Sequence, residues 1–270
     1  MNKVYVITGA TSGIGKALVE ILSKENIVYA GYRSEEKAGE FKKISSNIIP
    51  FYIDYAKPET IRPAINNIIE QNKKIDTLIN IAGCVVAGPV EKISMKEVRR
   101  QFDVNVFGHL EFTQGLIELL DNGKIINVSS MASFGLFPFI SPYCASKRCL
   151  DMFFNSFLIE NKRNIKVVSI KPGVISTPLW NKSIKENEQL LEGCEGYEKE
   201  MLYIAANARK NETKGLNTQK VVDIILKADK AKKPKLSYTV GRDAFVAHLI
   251  STTFCVLSPF VSFFLAFAAI

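Results

Sequence analysis

Metal-binding side chains are scarce in this chain. It has two histidines, His109 and His248, and five cysteines. None falls at the spacing of a zinc or redox motif, so no metal is expected. Cys144 and Cys149 are close together without forming such a motif and read as packing residues. An odd cysteine number beside many lysines argues against a disulfide framework and fits a reducing, cytoplasmic setting. No leader is expected, because Met1–Lys3 run straight into an apolar strand followed at once by glycines. Internal repeats and low-complexity linkers are also lacking. The net charge of +8 comes from lysines spread along the chain. That reads as a solvated surface rather than a nucleic-acid face. The longest absence is at the end: residues 244–270 contain no Asp, Glu, Lys or Arg.

What is present is an alternation of short apolar runs with longer helical patterns. Strands are expected at 4–7, 27–30, 48–53, 75–80, 124–128, 166–170 and 236–240. Helices are expected at 14–24, 34–44, 59–71, 94–120, 142–160 and 218–228. The runs are apolar throughout rather than alternating, as when helices cover both faces of a parallel sheet. The fold class is therefore α/β, a doubly wound parallel sheet. Residues 1–243 form one domain under this reading, with a polar, weakly patterned insertion at 177–217 on the substrate side and an apolar segment at 244–270.

Chemistry concentrates where strands end. The first strand runs into Thr8-Gly9-Ala10-Thr11-Ser12-Gly13-Ile14-Gly15. Glycines there permit a tight turn and close backbone approach to a diphosphate, and the following helix aims its free N–H groups at it. After the second strand comes Gly31-Tyr32-Arg33-Ser34, with no acid at the strand tip to hold two ribose hydroxyls. Arg33 can pair with a 2′-phosphate instead, which favours NADP; NAD would need Glu35 or Glu36 to reach the ribose. Tyr143 and Lys147 stand at i and i+4, on one helix face. An ammonium so placed would lower a phenol's pKa and make it a usable acid/base at neutral pH. Ser129-Ser130 close the strand before that helix.

These motifs resemble the short-chain dehydrogenase/reductase family over about residues 3 to 240. The glycine loop is similar to that family's TGxxxGIG. The resemblance implies a Rossmann fold and a nicotinamide-dependent oxidoreductase acting on a carbonyl or alcohol. It makes Tyr143, Lys147, Ser130 and Asn105 the catalytic set, with Ser130 orienting the substrate carbonyl and Asn105 holding a water near the lysine. It implies cofactor contacts from Gly9, Thr11, Ser12, Gly13, Ile14 and Gly15, from Arg33, and from Asp54 on the adenine. Further contacts are implied from Asn80, Ala82 and Gly83 and from Pro172, Gly173, Val174 and Thr177, beside Tyr143 and Lys147 themselves. Ile81 departs from the family's Asn-Asn-Ala-Gly. His109 has no matching role and reads as a packing residue.

The 232–241 stretch, Lys-Lys-Pro-Lys-Leu-Ser-Tyr-Thr-Val-Gly, is similar to the subgroup with 17β-hydroxysteroid and retinol dehydrogenases. Val85, Val86, Phe134, Leu136, Phe137, Phe139, Leu179 and Trp180 would wall a pocket for a lipophilic substrate. Two further readings stay open: a β-ketoacyl-type reductase, and a non-catalytic NADP-binding sensor, which would have no need of the reacting set. Residues 244–270 exceed the roughly 20 needed to cross a bilayer, and lysines lie upstream. Pro259 and several hydroxyl residues suit protein packing instead, so membrane-surface attachment and burial on protein are both open. The helices at 94–120 and 142–160 match those the family uses for dimer contacts, so a homodimer or homotetramer is expected.

Overall fold

A computed structural model describes residues 2–179, 183 and 194–254. Seven parallel strands form one sheet in the order β3-β2-β1-β4-β5-β6-β7. They are β1 Val4–Ile7, β2 Ile27–Tyr32, β3 Ile48–Tyr52, β4 Thr77–Asn80, β5 Lys124–Val128, β6 Lys166–Pro172 and β7 Ser237–Val240. This is the doubly wound architecture expected from the sequence. Successive strand residues point to opposite faces. Tyr5, Ile7, Ile79, Ile126 and Val168 enter one apolar core, and Val6, Leu78, Ile125 and Val167 the other. That is why the strands read as unbroken apolar runs.

Helices α1 (Gly13–Leu22), α2 (Glu35–Ile44) and the helix Thr218–Lys230 cover the first face, burying Leu18, Phe41 and Ile225. The second face carries α3 (Ile61–Gln71), α5 (Gly108–Leu116) and α6 (Ser141–Glu160), which bury Ile65, Phe112 and Phe154. The single helix expected over 94–120 is subdivided. It runs as α4 (Met95–Phe102), a π turn over Asp103–Phe107, α5, and a 3-10 turn over Ile117–Leu120. Tyr55 sits so close to Gly108 that a Cβ there would overlap its ring. The close approach accompanies the wider turn, and π turns mark functional positions.

The 177–217 stretch is more ordered than its composition suggests. Glu198–Lys214 form a helix, α7, that buries Met201 and Ala208. The helix Thr218–Lys230 is α8. Residues 180–182 and 184–193, including Trp180, lie outside the described residues. After β7, α9 (Arg242–Phe254) begins beside the crevice, with Ala244 buried and the His248 ring tilted against that of Phe134, centroids 4.7 Å apart. Residues 255–270 also lie outside the described set. Lys230, Lys232, Lys233 and Lys235 precede β7, at the edge where strands begin, whereas α9 leaves from the edge where they end. β7 separates them by roughly 13 Å at about 3.3 Å per residue. Those lysines therefore do not flank the start of the apolar segment, whereas Arg242, the first residue of α9, does.

Candidate active site

The carboxyl ends of β1, β4, β5 and β6 open into one cavity of about 720 Å³. Its floor at β1 is glycine. Gly9 has φ +66°, and a Cβ on it would come within 2.9 Å of the Ala82 nitrogen. Gly13 has φ +52° and faces the Thr177 methyl. Gly15 lies behind the loop, where a Cβ would overlap the Gly9 carbonyl, so it lets α1 start directly on the strand. It does not line the cavity, unlike Thr11, Ser12 and Ile14. Ser12 caps α1 without a side-chain hydrogen bond, and no acid occupies the first turn. The helix's positive end therefore faces the cavity unneutralised, a donor set that fits a diphosphate.

At the β2 tip Arg33 lies 3.8 Å from Asp54. Glu35 accepts a hydrogen bond from the Tyr32 hydroxyl at 3.1 Å, which turns it from the cavity. Lys37, one turn into α2, lines the cavity beside Arg33. The sequence reading missed it; its i+4 offset from Arg33 was the available signal.

Across the cavity, Tyr143 and Lys147 project from α6. Lys147 Nζ donates to the Val128 carbonyl at 2.9 Å and sits 5.8 Å from the Tyr143 ring centroid. Ser130 Oγ accepts the Ala132 N–H at 3.1 Å, leaving its own proton to donate. It lies close enough to the Tyr143 phenol to act on its pKa, in the lowering direction. Of the two serines, Ser130 is thus the one engaged with the phenol. Gly83 leaves room for both neighbours: a Cβ there would lie 3.4 Å from Asn105 Oδ1 and 3.7 Å from Lys147 Nζ.

The family model for short chain dehydrogenases matches residues 3–188. The chain belongs to the short-chain dehydrogenase family. It is 31% identical over 251 residues to the NADPH-dependent 3-dehydrocapnine reductase of Ornithobacterium rhinotracheale, covering 87% of each chain. It is 35% identical over 202 residues to mouse estradiol 17-beta-dehydrogenase 2, covering 68% of this chain but 53% of that one. A short-chain dehydrogenase from Streptomyces avermitilis superposes with a TM-score of 0.77 at 22% identity, over 94% of this chain and 93% of that one. The chain is accordingly an oxidoreductase of this family.

Within this short-chain dehydrogenase, two expected site residues, Asn80 and Asn105, face protein rather than the cavity, and a third, Val174, lines the cavity with its backbone polar groups already engaged. Asn80 donates sideways to Asn127 at 2.9 Å and to Thr113 at 3.4 Å, fastening β4 to β5. Its amide is buried between strands and does not line the cavity. Asn105 uses both ends of its amide: Oδ1 accepts the Cys84 N–H at 2.9 Å, and Nδ2 donates to the Cys84 carbonyl and to Ser146 Oγ, each at 3.1 Å. Its side chain therefore fixes the backbone after Gly83. Val174 donates its N–H to Asp243 at 2.7 Å, and its carbonyl accepts from Leu216 at 2.8 Å. It thus lines the cavity while these backbone contacts hold the loop after Pro172-Gly173 in place. Of the expected walls, Val85, Phe137 and Leu179 line the cavity, whereas Leu136 is exposed and Phe139 meets Tyr197 edge to face.

Electrostatics differ from the expectation at one point. Burial pushes the Tyr143 phenol up to about 12, against the lowering effect of Ser130. Burial also brings Lys147 down to about 8, opposed by the Asp151 carboxylate and Cys84. In a dry site the cost of forming a phenolate exceeds what one nearby ammonium returns. Tyr143 is thus protonated at neutral pH. Asp151, at i+4 from Lys147, is buried; it accepts from Ser169 at 2.5 Å and pairs with Lys171 at 2.8 Å. The sequence reading missed it, though its offset placed it on the catalytic face. His109 is buried as well, with Nε2 2.8 Å from the Ala82 carbonyl. Burial, with Lys147 adding to it, lowers the imidazole to about 3, so it is neutral and donates. It steadies the loop that carries Gly83.

Proposed function

We propose that this enzyme is an NADP(H)-linked reductase of a lipophilic ketone or aldehyde, with Tyr143 as the proton donor. The observation that carries the reading is a buried, protonated phenol beside Ser130 with Lys147 one turn away, in the same cavity as the glycine cradle. Gly9, Ser12, Gly13 and Thr177 would hold the diphosphate end of the dinucleotide, and Arg33 with Lys37 its 2′-phosphate. When bound, the nicotinamide supplies hydride to the carbonyl carbon. Ser130 donates a hydrogen bond to the carbonyl oxygen and fixes its direction. Tyr143 transfers its proton to that oxygen as negative charge develops there. Lys147 then lies beside the phenolate and stabilises it. The protonated resting state of Tyr143 favours reduction over oxidation. Val85, Phe137, Leu179 and Met201 give the cavity apolar walls, which favours a steroid- or lipid-like substrate. Among its relatives, the NADPH-dependent reductase supports the cofactor and direction, and the estradiol dehydrogenase supports an apolar substrate.

Two assembly features accompany this reading. Phe107, Met152, Phe153 and Ile159 are exposed on the helices facing away from the sheet, an apolar face suited to a second copy. Phe245, Val246 and Leu249 are exposed on α9, ahead of the charge-free 255–270. No helix among the described residues is long and apolar enough to cross a membrane; the exposed apolar face of α9 favours contact with a lipid surface. The decisive experiment follows oxidation of NADPH and NADH against steroid, retinoid, acyl-lipid and small polar ketones. Preference for NADPH and for apolar substrates is expected; equal use of both cofactors, or turnover of small polar ketones alone, would refute it. Deleting residues 255–270 should abolish co-sedimentation with liposomes, and unchanged sedimentation would exclude the surface contact.

A further inference from the structure

The two halves of α7 (Glu198–Lys214) face different parts of the cavity. At its start, Met201, Ile204 and Ala205 line the apolar end, and Met201 packs with Ala87, Cys194 and Phe139. At its end, Asn207, Lys210 and Asn211 line the same cavity. That end is fastened to the loop after β6. Ser176 Oγ donates to the Glu212 carbonyl, Ser176 N–H donates to Leu216 at 3.0 Å, and Thr218 Oγ1 donates to the Ser176 carbonyl at 3.0 Å. The next residue, Thr177, has its methyl 3.3 Å from where a Cβ on Gly13 would stand. The polar end of α7 is therefore beside the N-terminus of α1.

Charge balance singles out one side chain there. A diphosphate at Gly13 would meet the helix dipole, worth about half a positive charge. Lys16, the basic residue of that helix, pairs with Glu40 at 3.2 Å. Among the described residues four cations line the cavity: Arg33, Lys37, Lys147 and Lys210. Arg33 and Lys37 lie at the β2 tip, and Lys147 is held by Val128 beside Tyr143. Lys210 is left for the diphosphate. Its long, exposed side chain stands at the rim, where it can swing onto a ligand without being buried beforehand.

We infer that Lys210 binds the cofactor's diphosphate and so latches the substrate-side helix onto the bound dinucleotide. This rests on the dinucleotide reading above. Because Met201 and Ile204 are on the same helix, docking of Lys210 also sets the apolar wall, and the substrate chamber is completed by the cofactor. Cofactor would bind first, and substrate would bind poorly without it.

The test is direct binding to the full chain, followed by nucleotide fluorescence or calorimetry, with Lys210→Met, Lys210→Arg and Lys37→Met. Lys210→Met should raise the Kd of NADPH, NADH and ADP-ribose alike, by about tenfold for one charge-assisted contact. It should leave adenosine 2′-monophosphate, which has no diphosphate, unchanged. Lys210→Arg should retain most of the affinity. Lys37→Met should weaken NADPH and adenosine 2′-monophosphate while sparing NADH. NADPH should slow tryptic cleavage within α7 of the wild type, and this protection should be lost in Lys210→Met even at saturating NADPH. Unchanged Kd values would overturn the inference. So would a loss confined to NADPH, which puts Lys210 at the 2′-phosphate, or one confined to substrate KM, which puts it in the substrate chamber. Wild-type protein that bound none of these nucleotides would overturn the dinucleotide reading itself.

Discussion

The two edges of the sheet treat polar groups in opposite ways. At the edge where strands begin, Asp229 is buried and fully engaged. It accepts from Tyr5 at 2.8 Å, Thr77 at 2.6 Å and Lys3 at 3.1 Å, and its own carbonyl accepts from Lys124. This ties the end of α8 to β1, β4 and β5. At the edge where strands finish, Ser12 caps nothing and the Ser129 hydroxyl has no partner. There too, Tyr143 and Lys147 are displaced toward their neutral forms. One edge satisfies its charges for stability. The other withholds partners from groups that need a ligand, which costs stability and creates a site.

Breaking the site edge should give the largest effect. Tyr143→Phe should lower kcat/KM by about a thousandfold, within the range for loss of a general acid, while leaving the NADPH Kd and the unfolding midpoint nearly unchanged. Steady-state kinetics beside urea unfolding decides it, and activity that survives would remove the phenol from the mechanism.

The opposite edge should respond in reverse. Asp229→Ala should cost about 3 kcal/mol of stability by leaving buried partners unpaired, with kcat per folded molecule unchanged. Burial acts to raise the Asp229 pKa, but hydrogen bonds from Thr77 and Tyr5, with the Lys3 ammonium, hold it below the ordinary value. Its stabilisation is therefore present above the usual aspartate value near 4 and is lost as pH falls through the depressed folded value. Acid unfolding of the wild type should show this loss and the alanine variant should not.

The smallest effect is on the pH profile. With Lys147 down at about 8 and Tyr143 up at about 12, reduction should be flat near neutrality and decline as pH rises through about 8. Lys147 then loses the proton that stabilises the phenolate, while Tyr143 keeps its own. Lys147 should also contribute to stability in its own direction. Its folded value lies below the unfolded one near 10.4, so the unfolded chain binds more protons between about 8 and 10.4 and stability from this group rises across that window. A reductase profile with no alkaline decline below pH 9 would show that Lys147 is not the titrating group.

How much of this was legible beforehand depended on the range of the interaction. The glycine loop, the Tyr143–Lys147 pair and Ser130 are local patterns read from spacing along one strand or one helix. Arg33 was legible because a missing acid at a strand tip is also local. The contacts of Asn80, Asn105 and Val174 were not, because their partners Asn127, Cys84 and Asp243 come from distant parts of the chain. Glu198–Lys214 read as a polar insertion because a helix of this kind, with few buried residues, has a weak apolar period. Its Met201, Ile204, Ala205 and Ala208 positions carried the faint signal.

By itself, the sequence determined the doubly wound sheet, the phosphate loop and the presence of a phenol one helical turn from an ammonium. Apolar periodicity and glycine placement act within a few residues and need nothing else. Only the tertiary structure decided the sign of the phenol's pKa shift, because burial and the Ser130 contact arise when α6 packs against β5. It also decided which cations reach the cavity. Lys37, Lys147 and Lys210 come from three separate helices, and no spacing along the chain brings them to one place.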